Sequence, residues 1–387
     1  MERRYSTMKK ALLAGIAAAL VLPAAASAQI GGFDVEIPKE EKAAKKKKQD
    51  IVDVRLDASW KGPKSVDEAL ALVKEGGEIV LHPGVYPPEA IKVRKSVTIR
   101  GIRDSYGEAP VLVASGSCLS VAKDGVAARI TDVTFSASDA TCISVSKGQL
   151  ELADSEIRGK NAGFYRGATP PHLRAFNSSA ATSSRSALVA VRGGRVSITN
   201  TKLVGGETGV MINPGSTGNA FEHVSLRENT IAQMTGAGVV MVGNVDAMLS
   251  ANSIVNNGMG GVVYNASGHA RLVGNIISNN AYTGLYIEGN DQDAVSVERN
   301  RIHDNTSDGI EVRSGVAILV GNEIGDHRGC RIKEEPFARG TSEHLSKPPI
   351  TLLADAQGVN AYKVKDGCDR GESENKKERW RWFSRGE

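Results

Sequence analysis

The stretch from Asn229 to Ile324 contains a three-residue phrase that recurs at nearly regular intervals. It reads Asn229-Thr-Ile231, Asn252-Ser-Ile254, Asn275-Ile-Ile277, Asn300-Arg-Ile302 and Asn322-Glu-Ile324. Successive asparagines are 23, 23, 25 and 22 residues apart. This period is too long for a helical heptad or a single strand, so it indicates stacked units that share one core.

Two further signals keep the same period. A second polar column follows each isoleucine by three residues, as Asn257, Asn280, Asn305 and His327. A glycine followed by an aliphatic residue recurs at 238, 261, 284 and 309. Asparagine side chains carry both donors and acceptors and tolerate tight corners. We therefore interpret Asn229, Asn252, Asn275, Asn300 and Asn322 as a structural ladder rather than a catalytic one.

The residues between these phrases repeat a strand pattern. The segments 143–157, 189–203 and 310–324 have equal lengths, and each contains two short alternating strands followed by the isoleucine position. Three short strands in every 22–25 residues, with no helices between them, make a three-faced coil. The predicted fold class is all-β, a right-handed parallel β-helix.

The beginning of the coil resembles a known type of cap. Ser65-Val-Asp-Glu68 forms a capping box, and Gly76-Gly77 ends the helix that it starts. A strand, a Pro-Gly-Val-Tyr turn that ends at Tyr86, and Val-Thr-Ile-Arg-Gly at 97–101 follow. This order resembles the amino-terminal cap of exported right-handed parallel β-helix proteins. We also expect a carboxy-terminal cap, because open strand edges invite aggregation.

Rungs, cap and amino terminus together resemble the pectate-lyase-like superfamily over about residues 60–327. That resemblance implies polysaccharide lyases, polygalacturonases, pectin methylesterases, alginate C5-epimerases or surface proteins without activity. The Gly-Asp-Asp and Gly-His-Gly elements of polygalacturonases are absent, and so is the Asp-Pro-His-Asp element of alginate epimerases. No catalytic residue is transferred by motif, and the fold alone selects no reaction.

Composition shifts divide the chain into five segments. We predict a signal peptide at 1–28, a Lys-rich flexible linker at 29–50, the β-helix at 51–327 with a loop excursion at 159–186, a carboxy-terminal cap at 328–369 and a charged, aromatic tail at 370–387. The 159–186 segment could instead be a degenerate rung. Export to the periplasm or the medium follows from the signal, and no transmembrane segment is expected after cleavage.

The charge of the mature chain is nearly balanced. The signal holds four of the 48 basic and one of the 44 acidic residues, which leaves 44 basic and 43 acidic. This balance does not favour nucleic acid as a partner, because a basic stripe would be expected. The expected partner is a polysaccharide or a component of the cell envelope.

Four cysteines in an exported chain suggest disulfides. Cys118 and Cys142 are 24 residues apart, which places them in the same position of neighbouring rungs. We predict that Cys118 pairs with Cys142 and that Cys330 pairs with Cys368. Free buried thiols are the alternative, since stacked cysteines also pack as small apolar groups.

Alternation along the first strand of each rung selects the outward side chains. Near the carboxy-terminal end these are Tyr286, Glu288, Glu311 and Arg313, which we take as catalytic candidates. The candidate substrate-binding residues are Asn265, Tyr165, Arg166 and His172, and Asp291 and Asp293 are candidate Ca²⁺ ligands. A surface ion pair between Glu288 and Arg313 is the plainer interpretation.

The sequence thus predicts an exported β-helix that binds polysaccharide on its outward face. The enzymatic version is a lyase or C5-epimerase of uronic-acid polymers, in which Arg313 or Ca²⁺ stabilises charge and Tyr286 transfers a proton. The competing hypothesis is a non-catalytic envelope or adhesion scaffold.

Overall fold

In the computed structural model the chain winds into a coil of parallel strands, as the sequence period predicts. The structure describes residues 48–138, 140–160, 187–214, 223–289, 294–334 and 350–353, all within one unit, Lys46–Glu387. The coil is right-handed and makes about 11 turns with very little helix. The predicted fold class is confirmed.

Each turn contributes strands to three faces, which we call A, B and C in chain order. Face A contains β8 (Ile143–Val145), β11 (Ala187–Val191), β14 (Thr208–Ile212), β21 (Leu285–Gly289), β24 (Ile310–Ser314) and β27 (Ile332–Glu334). Face B contains β1 (Gln49–Val54), β2 (Val73–Leu81), β4 (Val97–Gly101), β6 (Ala127–Thr131), β9 (Gln149–Ala153), β12 (Arg195–Thr199), β15 (His223–Arg227), β22 (Ala294–Glu298), β25 (Val316–Val320) and β28 (Ile350–Leu353). Face C contains β7 (Thr134–Ser136), β10 (Glu156–Arg158), β13 (Lys202–Val204), β16 (Thr230–Ala232), β18 (Ser253–Val255), β20 (Ile276–Ser278), β23 (Arg301–His303) and β26 (Glu323–Ile324).

Four longer strands continue from one face to the next. They are β3 (Val85–Val93) and β5 (Val111–Val121), which run from face C to face A, and β17 (Val239–Ser250) and β19 (Val262–Val273), which run from face A to face B. All strand pairs are parallel. Residues of equal position in successive turns therefore stack at one strand spacing, about 4.8 Å.

The isoleucines of the repeated phrase stack in one column inside the coil. Ile231 pairs with Ile254, and the same register continues through Ile277 and Ile302 to Ile324. Each of these side chains is at most 2% exposed. They belong to one apolar cluster that runs from Val52 to Ile324, so the core is continuous along the rod.

The asparagines of the phrase form the predicted ladder at the corner between faces B and C. Each is at most 1% exposed. Asn275 shows the pattern. Its side-chain amide donates one hydrogen bond to the carbonyl of Leu249 at 2.9 Å and another to Oδ1 of Asn300 at 2.8 Å. A buried amide that is fully bonded in this way stabilises the corner instead of costing desolvation energy.

The amino-terminal helix begins where the capping box predicts, but it ends at Leu72, and Gly76-Gly77, the predicted stop, lie within β2. Helix α1 (Val66–Leu72) begins after Ser65, whose side chain accepts a hydrogen bond from the backbone N–H of Glu68 at 3.2 Å. The Glu68 carboxylate, however, accepts from the N–H of Lys64 at 2.8 Å rather than from that of Ser65. Val66 and Ala69 bury the inner face of the helix in the core.

One predicted disulfide is confirmed. Cys118 and Cys142 are bonded, with their Cα atoms 4.5 Å apart, and both are buried. Cys330 is also disulfide-bonded, while Cys368, its predicted partner, lies outside the described residues.

Several predicted segments fall wholly or mainly outside the described residues. These are the signal peptide, most of the linker, the 159–186 excursion beyond Lys160, most of the carboxy-terminal cap and the tail. Two strands, β27 and β28, stack on the coil beyond residue 327. Within the described part of the chain, no helix has the length and apolar character needed to cross a membrane.

Candidate functional site

An outward column of side chains runs along face A and changes character near its carboxy-terminal end. In register order it consists of Ala190, Met211, Val240, Val263, Tyr286, Glu311 and Lys333. The first four belong to a second apolar cluster, separate from the core, and are at most 4% exposed. These four side chains offer a polysaccharide almost no surface of their own, and the polar groups of the column lie at its carboxy-terminal end.

The polar end brings the predicted catalytic candidates together. The Tyr286 hydroxyl donates to the Glu288 carboxylate at 2.6 Å. The guanidinium of Arg313 lies 5.4 Å from the centre of the Tyr286 ring, within the range of a cation–π contact. All three side chains are partly exposed. A cation, a phenol and a carboxylate are therefore held on one partly exposed patch.

Glu311 lies behind this patch and is fully buried. Its carboxylate is 3.4 Å from Nε of Arg313 and 3.5 Å from Nζ of Lys333, and it accepts from the Thr283 hydroxyl at 3.3 Å. A buried carboxylate needs such partners, because removing one leaves an uncompensated charge. Glu311 thus holds Arg313 in place from beneath, and its catalytic role stays a prediction.

The surroundings of Tyr286 keep its hydroxyl protonated. Burial raises the pKa of Tyr286 far above its ordinary range, and the hydrogen bond to Glu288 adds to that rise. The positive charge of Arg313 opposes both effects but is weaker. Tyr286 can consequently donate a proton or a hydrogen bond, whereas it is a poor base at neutral pH.

A bulge changes the neighbours expected from simple stacking. Asn265 lies beside Glu288 in register, as predicted. The next step is irregular, because Glu288 pairs with Ser314 instead of Arg313. The expected ion pair between Glu288 and Arg313 is replaced by the contacts of Arg313 with Glu311 and with the Tyr286 ring. Bulges re-aim side chains in this way, and strand alternation alone does not reveal them.

The other candidates from the sequence lie outside the described residues. These are Tyr165, Arg166 and His172 in the excursion and the proposed Ca²⁺ ligands Asp291 and Asp293. The described chain ends at Lys160 on one side of this segment and resumes at Ala187, which begins a face A strand four rungs before Leu285. Among the described residues, no group of three or more His, Cys, Asp or Glu side chains could hold a metal ion.

A groove of about 460 Å³ lies at the corner between faces B and C, and sequence reasoning missed it. Its floor includes a column of residues with positive φ, of which Asp132, Asp154, Asn200 and Glu228 line the groove. Arg103 closes one end by bonding Asp132 Oδ1 at 2.8 Å and the Asp154 carbonyl at 2.9 Å. The signal in the sequence that could have revealed this groove was the polar residue that stands one position before each isoleucine position of the repeat.

The charges of this groove do not suit an acidic polymer. Its lining contains five carboxylates, Glu108, Asp132, Asp154, Glu156 and Glu228, against the two cations Arg103 and Lys202. Several of the carboxylates are already bonded within the groove, as Asp154 is to Asn200 at 2.7 Å. The polar end of face A, by contrast, places the partly exposed cation Arg313 beside the phenol of Tyr286.

These features define a right-handed parallel β-helix protein with a polar patch on face A. In agreement, residues 186–334 match the family model described as a right handed beta helix region. A comparison with curated protein sequences finds no match.

Solved structures of similar shape include three carbohydrate-active proteins. The A-module of the Azotobacter vinelandii mannuronan C-5 epimerase AlgE4 is 12% identical, with a TM-score of 0.42 over 72% of this chain and 91% of that one. Pectate lyase Pel9A is 13% identical, with a TM-score of 0.39 over 80% and 79%. A double mutant of the periplasmic alginate epimerase AlgG is 14% identical, with a TM-score of 0.40 over 72% and 70%.

Proposed function

We propose that this protein binds a uronic-acid polysaccharide at the polar end of face A. The observation that carries the proposal is the placement of Arg313 beside the Tyr286 ring, where Glu311 holds it from beneath. A partly exposed guanidinium is suited to a sugar carboxylate, because it donates parallel hydrogen bonds to both oxygens. The tyrosine ring offers an apolar face beside it for the sugar ring.

The flat sheet supports a polymer better than a small ligand. Successive rungs repeat at about 4.8 Å, so the polar patch spans Asn265, Tyr286 and Arg313 on three neighbouring rungs. An extended chain lying across them would meet an amide, a phenol and a cation in turn. The acidic groove between faces B and C would repel the same polymer.

Calorimetric titration of the mature protein tests the proposal. Polygalacturonate and alginate are expected to bind and neutral dextran is not. Arg313→Lys keeps the charge but loses the fork of donors, so we expect affinity to fall about tenfold or more. Arg271→Lys is the matched control, because Arg271 is exposed on face B and pairs with Glu298 at 2.8 Å.

Two results would count against the proposal. One is that neither uronate polymer binds, or that dextran binds equally well. The other is that Arg271→Lys weakens binding as much as Arg313→Lys does. Circular dichroism of each variant separates lost binding from lost folding.

Catalysis by β-elimination is the finer version of this proposal. In it the Glu288 carboxylate removes the proton α to the uronate carboxylate, and the electron pair forms the new double bond as the glycosidic C–O bond breaks. The Tyr286 hydroxyl protonates the leaving oxygen, consistent with a phenol that stays protonated. Arg313 neutralises the charge that develops on the uronate, and Asp291 and Asp293 would hold a Ca²⁺ ion that would supply further charge stabilisation.

The absorbance of the unsaturated product follows this reaction, with Ca²⁺ and with chelator. Tyr286→Phe is expected to abolish product while binding persists, since the ring remains. If the wild type binds the polymer but forms no product, the protein is a carbohydrate-binding protein without lyase activity. The absence of both would favour the second candidate, a non-catalytic envelope scaffold.

Export is part of the proposal. The disulfide between Cys118 and Cys142 supports it, because such bonds persist in oxidising compartments. Mass spectrometry of the amino terminus of the periplasmic or secreted protein tests it. Cleavage after Ala28 is expected, and an intact amino terminus on a cytosolic protein would contradict it.

A further inference from the structure

The second polar ladder ends in a histidine. Asn257, Asn280 and Asn305 occupy one inner position in successive rungs, and each accepts a backbone N–H from the preceding rung at 3.1–3.2 Å. His327 holds the same position in the next rung, where its Nδ1 accepts the N–H of Asn305 at 3.1 Å. The imidazole therefore replaces an asparagine side chain as the acceptor at the end of this ladder.

This contact fixes the protonation state that the position requires. A ring nitrogen that accepts an N–H carries no proton, so the proton of the neutral imidazole lies on Nε2. Nε2 is buried without a well-formed hydrogen bond, and it faces the backbone of Gly309, where an added Cβ would lie 2.5 Å away. A second proton on Nδ1 would point at the Asn305 N–H and break the bond.

The charged groups around His327 are engaged elsewhere. On the preceding rung, Asp304 bonds the ring of His303 at 2.7 Å, and Asp308 accepts the N–H of Cys330 at 2.7 Å. On its own turn, Asp326 bonds Arg331 at 2.5 Å. Burial lowers the pKa of His327 and is the largest effect. Backbone hydrogen bonding with Ile302 and Asn305 and the charge of Asp304 oppose it, while the charge of His303 adds a smaller lowering.

We propose that His327 is an acid-sensitive clasp at the carboxy-terminal end of the coil, and that its protonation releases the 325–331 turn and loosens β27. Lys333 of β27 lies 3.5 Å from the buried Glu311. Opening of the clasp therefore moves away one of the cations that neutralise the buried Glu311, which also pairs with Arg313. The clasp does not involve polysaccharide, so it is tested independently of the proposed function.

The sign of the pH dependence follows from the lowered pKa. The folded state binds the proton less well than the unfolded state, in which the histidine pKa is about 6.5. Stability of the clasp is complete above about pH 6.5 and falls as the pH drops towards the folded-state value. One proton increases the population of the open state by at most about tenfold for each pH unit.

Hydrogen exchange of the full chain, followed by mass spectrometry at pH 7.5 and 5.5 and corrected for the intrinsic rates, tests the clasp. The protection factors of peptides that contain Asn305, Gly325 and Gly329 are expected to fall by up to about tenfold at the lower pH. Peptides of the central strands β17 and β19 should not change, which shows that the coil remains folded.

Two variants decide the outcome. His327→Asn restores the ladder residue and is expected to keep protection at both pH values. His303→Asn, the matched control on the neighbouring rung, should retain the acid response of the wild type. The proposal is overturned if the wild type shows no local acid response, or if His327→Asn loses protection as the wild type does.

Discussion

The side-chain amide of Asn275 donates a hydrogen bond to Oδ1 of Asn300 at 2.8 Å, and the same oxygen accepts the backbone N–H of Asn275 at 2.8 Å. One amide therefore satisfies two donors of the adjacent rung. Repetition of this contact ties each corner to the next along the rod.

Asn275→Ala should lower the free energy of unfolding by about 3 kcal/mol or more, because several buried donors and acceptors lose their partners at once. The midpoint of urea unfolding measures the change. Asn279→Gly is the control, since Asn279 is an exposed corner residue with φ of 55° that glycine tolerates. Equal losses in the two variants would refute the ladder as a major source of stability.

Replacing both Cys118 and Cys142 by alanine should cost about 3 kcal/mol, as the disulfide closes a loop across 24 residues. The decrease in melting temperature, followed by circular dichroism, measures this loss of stability. Alkylation of the unfolded, unreduced protein should leave both cysteines unlabelled. Labelling at either one would show that the bond does not form.

Tyr86 should ionise only in strongly alkaline solution. Its hydroxyl faces the carbonyl oxygens of Val54 at 2.8 Å and His82 at 2.7 Å, and burial raises the pKa of Tyr86 to about 12. Because the folded-state pKa is raised, stability is complete below about pH 10 and falls between about pH 10 and 12.

Alkaline titration of tyrosinate absorbance measures this ionisation, with Tyr86→Phe identifying the late component. The pKa of Tyr286 is raised further still, so the component near pH 12 is the one that tests the assignment. If that component remains in Tyr86→Phe, it belongs to another tyrosine and the assignment is wrong.

Gly238→Ala should destabilise the coil by about 1–3 kcal/mol through overpacking. An added Cβ would lie 2.5 Å from Cγ2 of Ile254 and 2.8 Å from the carbonyl oxygen of Gly261, which is backbone and cannot swing away. Gly260→Ala is the milder comparison, with its nearest atom at 3.1 Å. The melting temperatures of the two variants measure the difference. An equal or larger loss of stability in Gly260→Ala would contradict this account.

The polar patch was only partly predictable. Alternation correctly placed Asn265 beside Glu288, because neighbouring strands of equal phase stack in register. It misplaced Arg313, because the bulge between Ile287 and Glu288 depends on how the following turns close. It also gave no warning that Glu311 would be fully buried.

The sequence by itself determined the repeat, the asparagine ladder, the inward isoleucines and the Cys118–Cys142 disulfide. Each follows from local chemistry repeated at one period, so residues of equal phase must meet when the rungs stack. Only the tertiary structure decided which outward residues meet solvent. Val240 and Val263 point away from the core yet are 3% exposed, and they pack with Ala187, Ala190, Met211 and Ala237 in a second apolar cluster. The contacts of Arg313 were likewise decided by packing between rungs, which no local pattern records, whereas the sequence period already placed His327 in the second ladder.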